Sequence, residues 1–247
     1  MGKDRLSTGI EGLDEIVGGG FPRGRVILLL GESGSGKTIF TNQFLSNGVL
    51  QYKEKGLLVS LEETHSQLLR EMSLFGWNLQ EMENKGHLGF IDATPLRLLP
   101  KIVKVGSAEV ERKEFSMMSL IDRINEEVTR LKPSRLVVDS VTSLTMQFED
   151  PIERRFAVME LIAALESTGA TCMMTSELRT FDPLRNVEIE EVLAHGVIVL
   201  QAMLVGTSYA RAIQIRKMRE TKCDLQPRPY TIDDDGIKVY PSESVLR

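Results

Sequence analysis

The chain has 247 residues, with 30 Lys+Arg against 35 Asp+Glu, a net charge of −5, 42% apolar and 26% charged residues. That is ordinary globular composition, long enough for a sizeable core, and its acidic balance excludes a wholly basic nucleic-acid surface while leaving room for a local basic patch. With only Cys172 and Cys223, a disulfide scaffold is excluded and a reducing compartment is expected.

The opening stretch MGKDRLSTGI lacks the apolar core of a secretory signal, and Leu6 stands where a myristoylation signal wants Ser or Thr. The late apolar stretch 196–205 is too short to cross a bilayer and is interrupted by Gln201. A cytoplasmic location is the expectation. Short apolar runs then alternate with longer amphipathic stretches, which predicts an α/β fold with a mainly parallel sheet flanked by helices. Strands are expected at 26–30, 57–61, 88–91, 136–139, 171–175, 197–203 and 210–217. The first five are almost continuously apolar, as strands covered on both faces should be.

Helices are expected at 37–51, 65–75, 117–131 and 151–167. The third carries Leu120, Ile124, Val128 and Leu131 at helical spacing behind a Ser116 cap. The fourth has Asp150 to cap it, Pro151 at its first position and Gly169 to end it. Residues 94–114 read as an irregular excursion. Beyond about residue 195 the alternation fades, and Asp233-Asp234-Asp235-Gly236 between apolar runs predicts a C-terminal antiparallel hairpin. No linker stands out, so residues 1–247 are expected to form one domain.

Residues 31–38 read GESGSGKT and match G-x-x-x-x-G-K-[ST] between an apolar run and a helical pattern, the context that a P-loop requires. Gly31, Gly34 and Gly36 let the backbone curl so that the N–H groups of Ser33, Gly34, Ser35, Gly36, Lys37 and Thr38 face an anion. The helix starting near Lys37 adds its positive dipole end. Lys37 would reach the β- and γ-phosphates, and the Thr38 hydroxyl would face Mg²⁺.

Such a site needs a carboxylate for the metal's water shell. Asp139, closing Leu136-Val137-Val138, stands where a Walker-B aspartate would. Hydrolysis also needs a group to activate water. Glu62 and Glu63 follow a predicted strand directly. Mutual repulsion and burial would raise the pKa of one of them into the range of a general base. Equally, Glu62-Glu63-Thr64 could simply open a helix, where acids suit the dipole.

Leu13-Asp14, Gly18-Gly19-Gly20, Pro22-Arg23-Gly24, GESGSGKT, LEET, LVVDSVTS and GATCMMTSE occur in an order that resembles the RecA superfamily. LVSLEET, Phe75-Gly76-Trp77 and KMRETK resemble the KaiC-like ATPases more specifically, and the resemblance runs over about residues 7–240. It implies a RecA-like P-loop core, with ATP and Mg²⁺ as ligands. Glu62 and Glu63 would be the paired glutamates that activate water, and Thr175 and Ser176 polar residues that sense the γ-phosphate. It also implies a homo-hexameric ring with nucleotide between subunits, where Lys217 and Arg219 reach a neighbour's γ-phosphate. An Arg there would offset transition-state charge, and residues two apart on a strand share a face. This sequence departs from the family where Gly usually follows the Lys-x-Arg pair and a His comes soon after. Glu220 and Cys223 stand there, and an acid beside the site would weaken γ-phosphate affinity.

Ring ATPases of this kind can also thread DNA. The loops that would do so, 142–155 and 177–193, contain Arg154, Arg155, Arg179 and Arg185 but also Glu149, Asp150, Asp182, Glu188, Glu190 and Glu191, a poor phosphate track. A RecA/RadA-like recombination ATPase is therefore the second reading, and a nucleotide-gated assembly scaffold with little hydrolysis the third. His65, His87 and His195 have no metal-ligand spacing.

Overall fold

The computed structural model describes residues 4–94, 102–105, 108–111, 117–178 and 187–245. In chain order the elements are β1 (Arg5–Leu6), α1 (Leu13–Ile16), β2 (Phe21–Pro22), β3 (Val26–Gly31), α2 (Lys37–Tyr52), β4 (Gly56–Ser60), α3 (His65–Ser73), α4 (Leu79–Asn84) and β5 (Leu88–Asp92). There follow β6 (Ile102–Val105), β7 (Ala108–Glu111), α5 (Met117–Leu131), β8 (Arg135–Asp139), α6 (Val141–Thr145), α7 (Pro151–Ser167), β9 (Thr171–Glu177) and α8 (Ile189–Leu193). The chain closes with β10 (Gly196–Val205), β11 (Ser208–Met218), β12 (Arg228–Asp233) and β13 (Gly236–Val239).

Among the described residues nine strands form one sheet in the order β13-β12-β11-β10-β3-β9-β8-β4-β5. The stretch from β10 to β5 is parallel throughout, and β11, β12 and β13 are added antiparallel. The expected α/β architecture and C-terminal hairpin are both present. β3 shows why the parallel strands are apolar throughout. Its Val26, Leu28 and Leu30 belong to the core under α5, α6 and α7, while Ile27 and Leu29 belong to the core under α1, α2, α3 and α4. Period-2 alternation therefore fills two cores at once.

One expectation needs correction. Part of the stretch read as irregular, 94–114, forms an antiparallel ribbon of β6 and β7, while the Ser116 cap lies outside the described residues. Where the alternation fades, the strand expected at 197–203 continues the parallel sheet. β10 pairs parallel with β3, reached through α8, whose single turn is too short to show helical periodicity. The caps read for α7 hold: Ile152 N–H donates to Asp150 Oδ1 at 2.7 Å, and Gly169 takes φ of +70°.

Arg135, which the pattern reading passed over, is fully buried at the start of β8. Its guanidinium donates to Glu54 Oε2 at 2.6 and 2.9 Å, to Phe44 O at 2.9 Å and to Ser7 O at 2.8 Å, with the Phe44 ring centroid 4.6 Å away. A Cβ on Gly48 would come within 2.4 Å of this side chain, so the helix admits it only at a glycine. One cation thus ties α2, β8 and the N-terminal segment together. Replacing Arg135 with Met should lower stability by about 3 kcal/mol, because the carbonyls of Ser7, Thr8 and Phe44 lose a donor and Glu54 is left with Arg23 as its cation. Urea midpoints of the two proteins check this, and equal midpoints would contradict it.

Candidate functional site

The phosphate loop sits at the C-terminal end of β3. From there the chain passes through α2 to β4, beyond β9 and β8, while β9 returns across β3 to β10. This is the crevice position where open parallel sheets bind ligands. The three glycines of the loop serve different purposes. Gly34 (φ +78°) and Gly36 (φ +92°) supply the left-handed conformation. Gly31 has no such φ, and its missing Cβ makes room for Ser35 Oγ and Leu200 O. Tyr230 on β12 donates its hydroxyl to Ser35 O at 2.6 Å and props the loop from beneath.

Lys37, the first residue of α2, donates from Nζ to Gly31 O (2.8 Å) and Glu32 O (3.0 Å). Burial lowers its pKa, and the carboxylates of Asp139, Glu177, Glu62 and Glu32 pull it back up. Asp139 is buried at the end of β8 and accepts from Thr175 Oγ1 at 2.5 Å and from the Thr38 side chain. Burial raises its pKa and Glu62 adds to this, against the two hydroxyl bonds and Lys37. The predicted Thr38, Asp139 and Thr175 therefore meet in one chain of hydroxyl and carboxylate oxygens. Hard oxygen donors, few in number and beside a phosphate cradle, fit Mg²⁺, which keeps much of its water and takes the rest from phosphate. No group of three or more His, Cys, Asp or Glu among the described residues could hold a metal unaided.

Glu62 and Glu63 lie between β4 and α3, ahead of Thr64, the cap of a helix that starts at His65. The helix-opening reading holds in part: Thr64 caps α3 and its N–H takes the Gln67 side chain at 2.9 Å, but the first turn contains no acid. Ser60 Oγ donates to Glu63 O at 2.6 Å, and Leu61 N–H donates to Asp139 O at 2.6 Å, which holds this turn against the end of β8. The two acids then diverge. Glu62 is exposed and accepts from Ser140 Oγ (2.6 Å) and Ser143 Oγ (2.9 Å). Glu63 is half-buried, and burial, with Glu71, Asp139 and Glu62 nearby, pushes its pKa up to about 7.

Ser176 meets Thr142, with 3.1 Å between the hydroxyls, and Glu177 N–H donates to Thr142 Oγ1 at 2.8 Å. Glu177, Ser140 and Ser143 lie within the motifs LVVDSVTS and GATCMMTSE but received no individual role from them. Each lies one to four residues beyond a strand end already identified, and that position was the available signal.

Lys217 and Arg219 are not brought to this cluster. Lys217 pairs with Val197, which pairs with Leu28, three residues before Gly31 in β3, so its backbone lies roughly 10 Å back from the loop, toward the other end of the strands. Its Nζ donates to Val192 O (2.9 Å) and Glu191 O (3.2 Å), and Arg219 N–H donates to His195 O (2.9 Å). Glu220 takes φ of +58°, a conformation natural to glycine, and its carboxylate pairs with Arg25 at 2.6 Å rather than standing free. Arg179, Asp182 and Arg185 of the second candidate DNA loop lie outside the described residues. Among the described residues no helix is long and apolar enough to cross a membrane.

A P-loop between parallel strands, with a buried aspartate on the second strand over and the crossing connection beside it, defines a RecA-like P-loop ATPase fold. A family model described as "ATPase: KaiC" matches residues 6–244. The chain is 36% identical over 242 residues to the circadian clock oscillator protein KaiC of Parathermosynechococcus lividus, covering 97% of this chain and 43% of that protein. Against KaiC of Synechococcus elongatus the identity is 34%, with 96% and 44% covered. The crystal structure of a KaiC-like protein from Pyrococcus horikoshii OT3 is 34% identical with a TM-score of 0.81, covering 96% of this chain and 99% of that one. The chain belongs to the KaiC ATPase family, which supports ATP binding, and it spans somewhat less than half the length of the KaiC proteins it matches.

The environment of Glu63 has a measurable consequence. Between pH 4.5 and about 7 the folded chain keeps a proton that the unfolded chain has lost, so this group makes stability fall as pH rises through that window. Glu63→Gln should remove the slope. The difference in urea midpoint between variant and parent, measured without nucleotide, should grow from pH 4.5 to 7 and then level off. A constant difference would contradict the assignment.

Proposed function

We propose that this chain is a single KaiC-like domain that hydrolyses ATP with Mg²⁺ at the interfaces of a homo-hexameric ring, in a regulatory or signalling role. One observation carries the reading. The carboxylates, hydroxyls and phosphate loop gather at one end of the strands, while Lys217 and Arg219 sit at the other, so a complete site needs a second copy.

In this reading the loop amides from Ser33 to Thr38 and the Lys37 ammonium hold the β- and γ-phosphates, and Thr38 and Asp139 hold Mg²⁺. The metal, when bound, neutralises phosphate charge. Glu62 orients the attacking water. It is the glutamate of the pair that faces solvent, with two serine hydroxyls to fix it. Water oxygen bonds to the γ-phosphorus as the bond to the β–γ bridging oxygen breaks. The water proton passes to the Glu62 carboxylate, and ADP leaves. Glu63 stays beside it as a second, harder-to-ionise carboxylate. Thr175 and Ser176 sense the γ-phosphate, and the neighbour's Lys217 and Arg219 offset charge on its oxygens.

Arg219→Ala should lower ATP turnover by about 10³-fold or more while nucleotide affinity stays within about tenfold. Glu62→Gln should lower turnover by about 10²-fold or more and exceed the loss in Glu63→Gln. Steady-state phosphate release and nucleotide titration check both. Full turnover in Arg219→Ala, or a monomer by light scattering at every ATP concentration, would overturn the interface mechanism. Turnover that rises steeply with single-stranded DNA would favour the recombinase reading.

A further inference from the structure

Arg154 counted among the arginines of a loop that could track DNA. In the fold it is committed elsewhere. It lies on the first turn of α7 and donates from Nη2 to Glu190 Oε1 at 3.0 Å and to Glu188 Oε2 at 3.2 Å, which joins α7 to α8. Glu190 is buried, with 1% of its surface exposed. α8 has five residues, too few to be stable on its own turn-to-turn bonds, so its position depends on what grips it.

The far end of α8 grips something in turn. The carbonyls of Glu191 and Val192, at the negative end of this short helix, receive the Lys217 ammonium. Two residues past the helix, His195 O receives the backbone N–H of Arg219. Segment 188–195 therefore holds Arg154 at its start and both members of the Lys-x-Arg pair at its end. We infer that Arg154 and Glu190 form a clamp that positions Lys217 and Arg219 for the neighbouring copy's nucleotide. The inference rests on the reading that this pair acts in trans.

The clamp is strong in one sense and shallow in another. Removing Arg154 would leave the Glu190 carboxylate buried without its cation, and α8 would have to shift to bring it to water. Yet among the described residues Arg154 Nε and Glu190 Oε2 are buried and unpartnered. A single N–H···O bond, not the two-bond fork of a full guanidinium–carboxylate pair, joins the buried acid to its cation. A lysine, whose one nitrogen carries three N–H donors and the same charge, should then replace this arginine tolerably well. A methionine should not.

The test uses the full chain. Arg154→Met, and the double variant Arg154→Met/Glu190→Met that leaves no unpaired buried charge, should each lose tenfold or more in kcat with nucleotide affinity within about twofold. Arg154→Lys should keep most of the activity. Each Met variant is then mixed with Lys37→Ala, which cannot use its own loop but carries an intact clamp and pair. Turnover should recover, because the neighbour now supplies a correctly held Lys217 and Arg219. Unchanged kcat in both Met variants would overturn the clamp. So would lost activity that mixing fails to restore, while a parallel mixture of Arg219→Ala with Lys37→Ala does recover. If that parallel mixture also stays inactive, the trans reading of the pair fails and the clamp falls with it.

Discussion

A buried carboxylate at a strand end organises this molecule. Asp139 ends β8 in the interior, where an ionised acid is stable only with donors aimed at it. The donors come from two other elements: Thr38 from the first turn of α2 and Thr175 from β9. Asp139 O also accepts from Leu61, which draws in the turn bearing Glu62 and Glu63. A single residue therefore sets the mutual position of the phosphate loop, the paired glutamates and the polar end of β9. Burial raises its pKa and its donors oppose the shift, so the group is held at a real solvation cost. A divalent cation with its water shell is what such a place can use.

Charge is distributed along the strands rather than over the surface. The end that carries Asp139, Glu177, Glu62 and Glu32 has Lys37 as the cation all four act upon. The opposite end carries Arg25, Lys217 and Arg219 around His195, whose pKa is lowered by burial and by these cations in spite of Glu166. A net charge of −5 spread evenly would favour nothing in particular. On the proposed reading, Lys217 and Arg219 of one copy meet the next copy's phosphate-binding end.

What could be seen in the sequence follows from the range of the forces involved. β3, β4, β8 and β9 were legible because strands buried on both faces are apolar at nearly every central position, and the phosphate loop because its glycines, Lys37 and Thr38 are contiguous. α8 and β6 were not. A single helical turn has no periodicity, and two four-residue strands are too short to carry a distinct alternation. Arg135 and Arg154 were illegible for another reason. Each reads as an ordinary surface cation until the fold brings an acid from far along the chain, Glu54 in one case and Glu190 in the other. The different fates of Glu62 and Glu63 depend likewise on Ser140, Ser143 and Glu71, which only the tertiary structure places beside them.

The departures from the family pattern gather at the basic end. Glu220 adopts a left-handed backbone that a side chain resists, which accounts physically for a glycine being usual there. The cost is offset in part by Arg25, which pairs with the Glu220 carboxylate, and by Arg5, which donates to Thr221 Oγ1 at 2.6 Å. The acid next to the Lys-x-Arg pair is thus ion-paired within its own chain. Glu220 also constrains the backbone just after Arg219. On the proposed reading, the reach of the Lys-x-Arg pair toward a neighbour is set by packing inside each chain before any neighbour arrives.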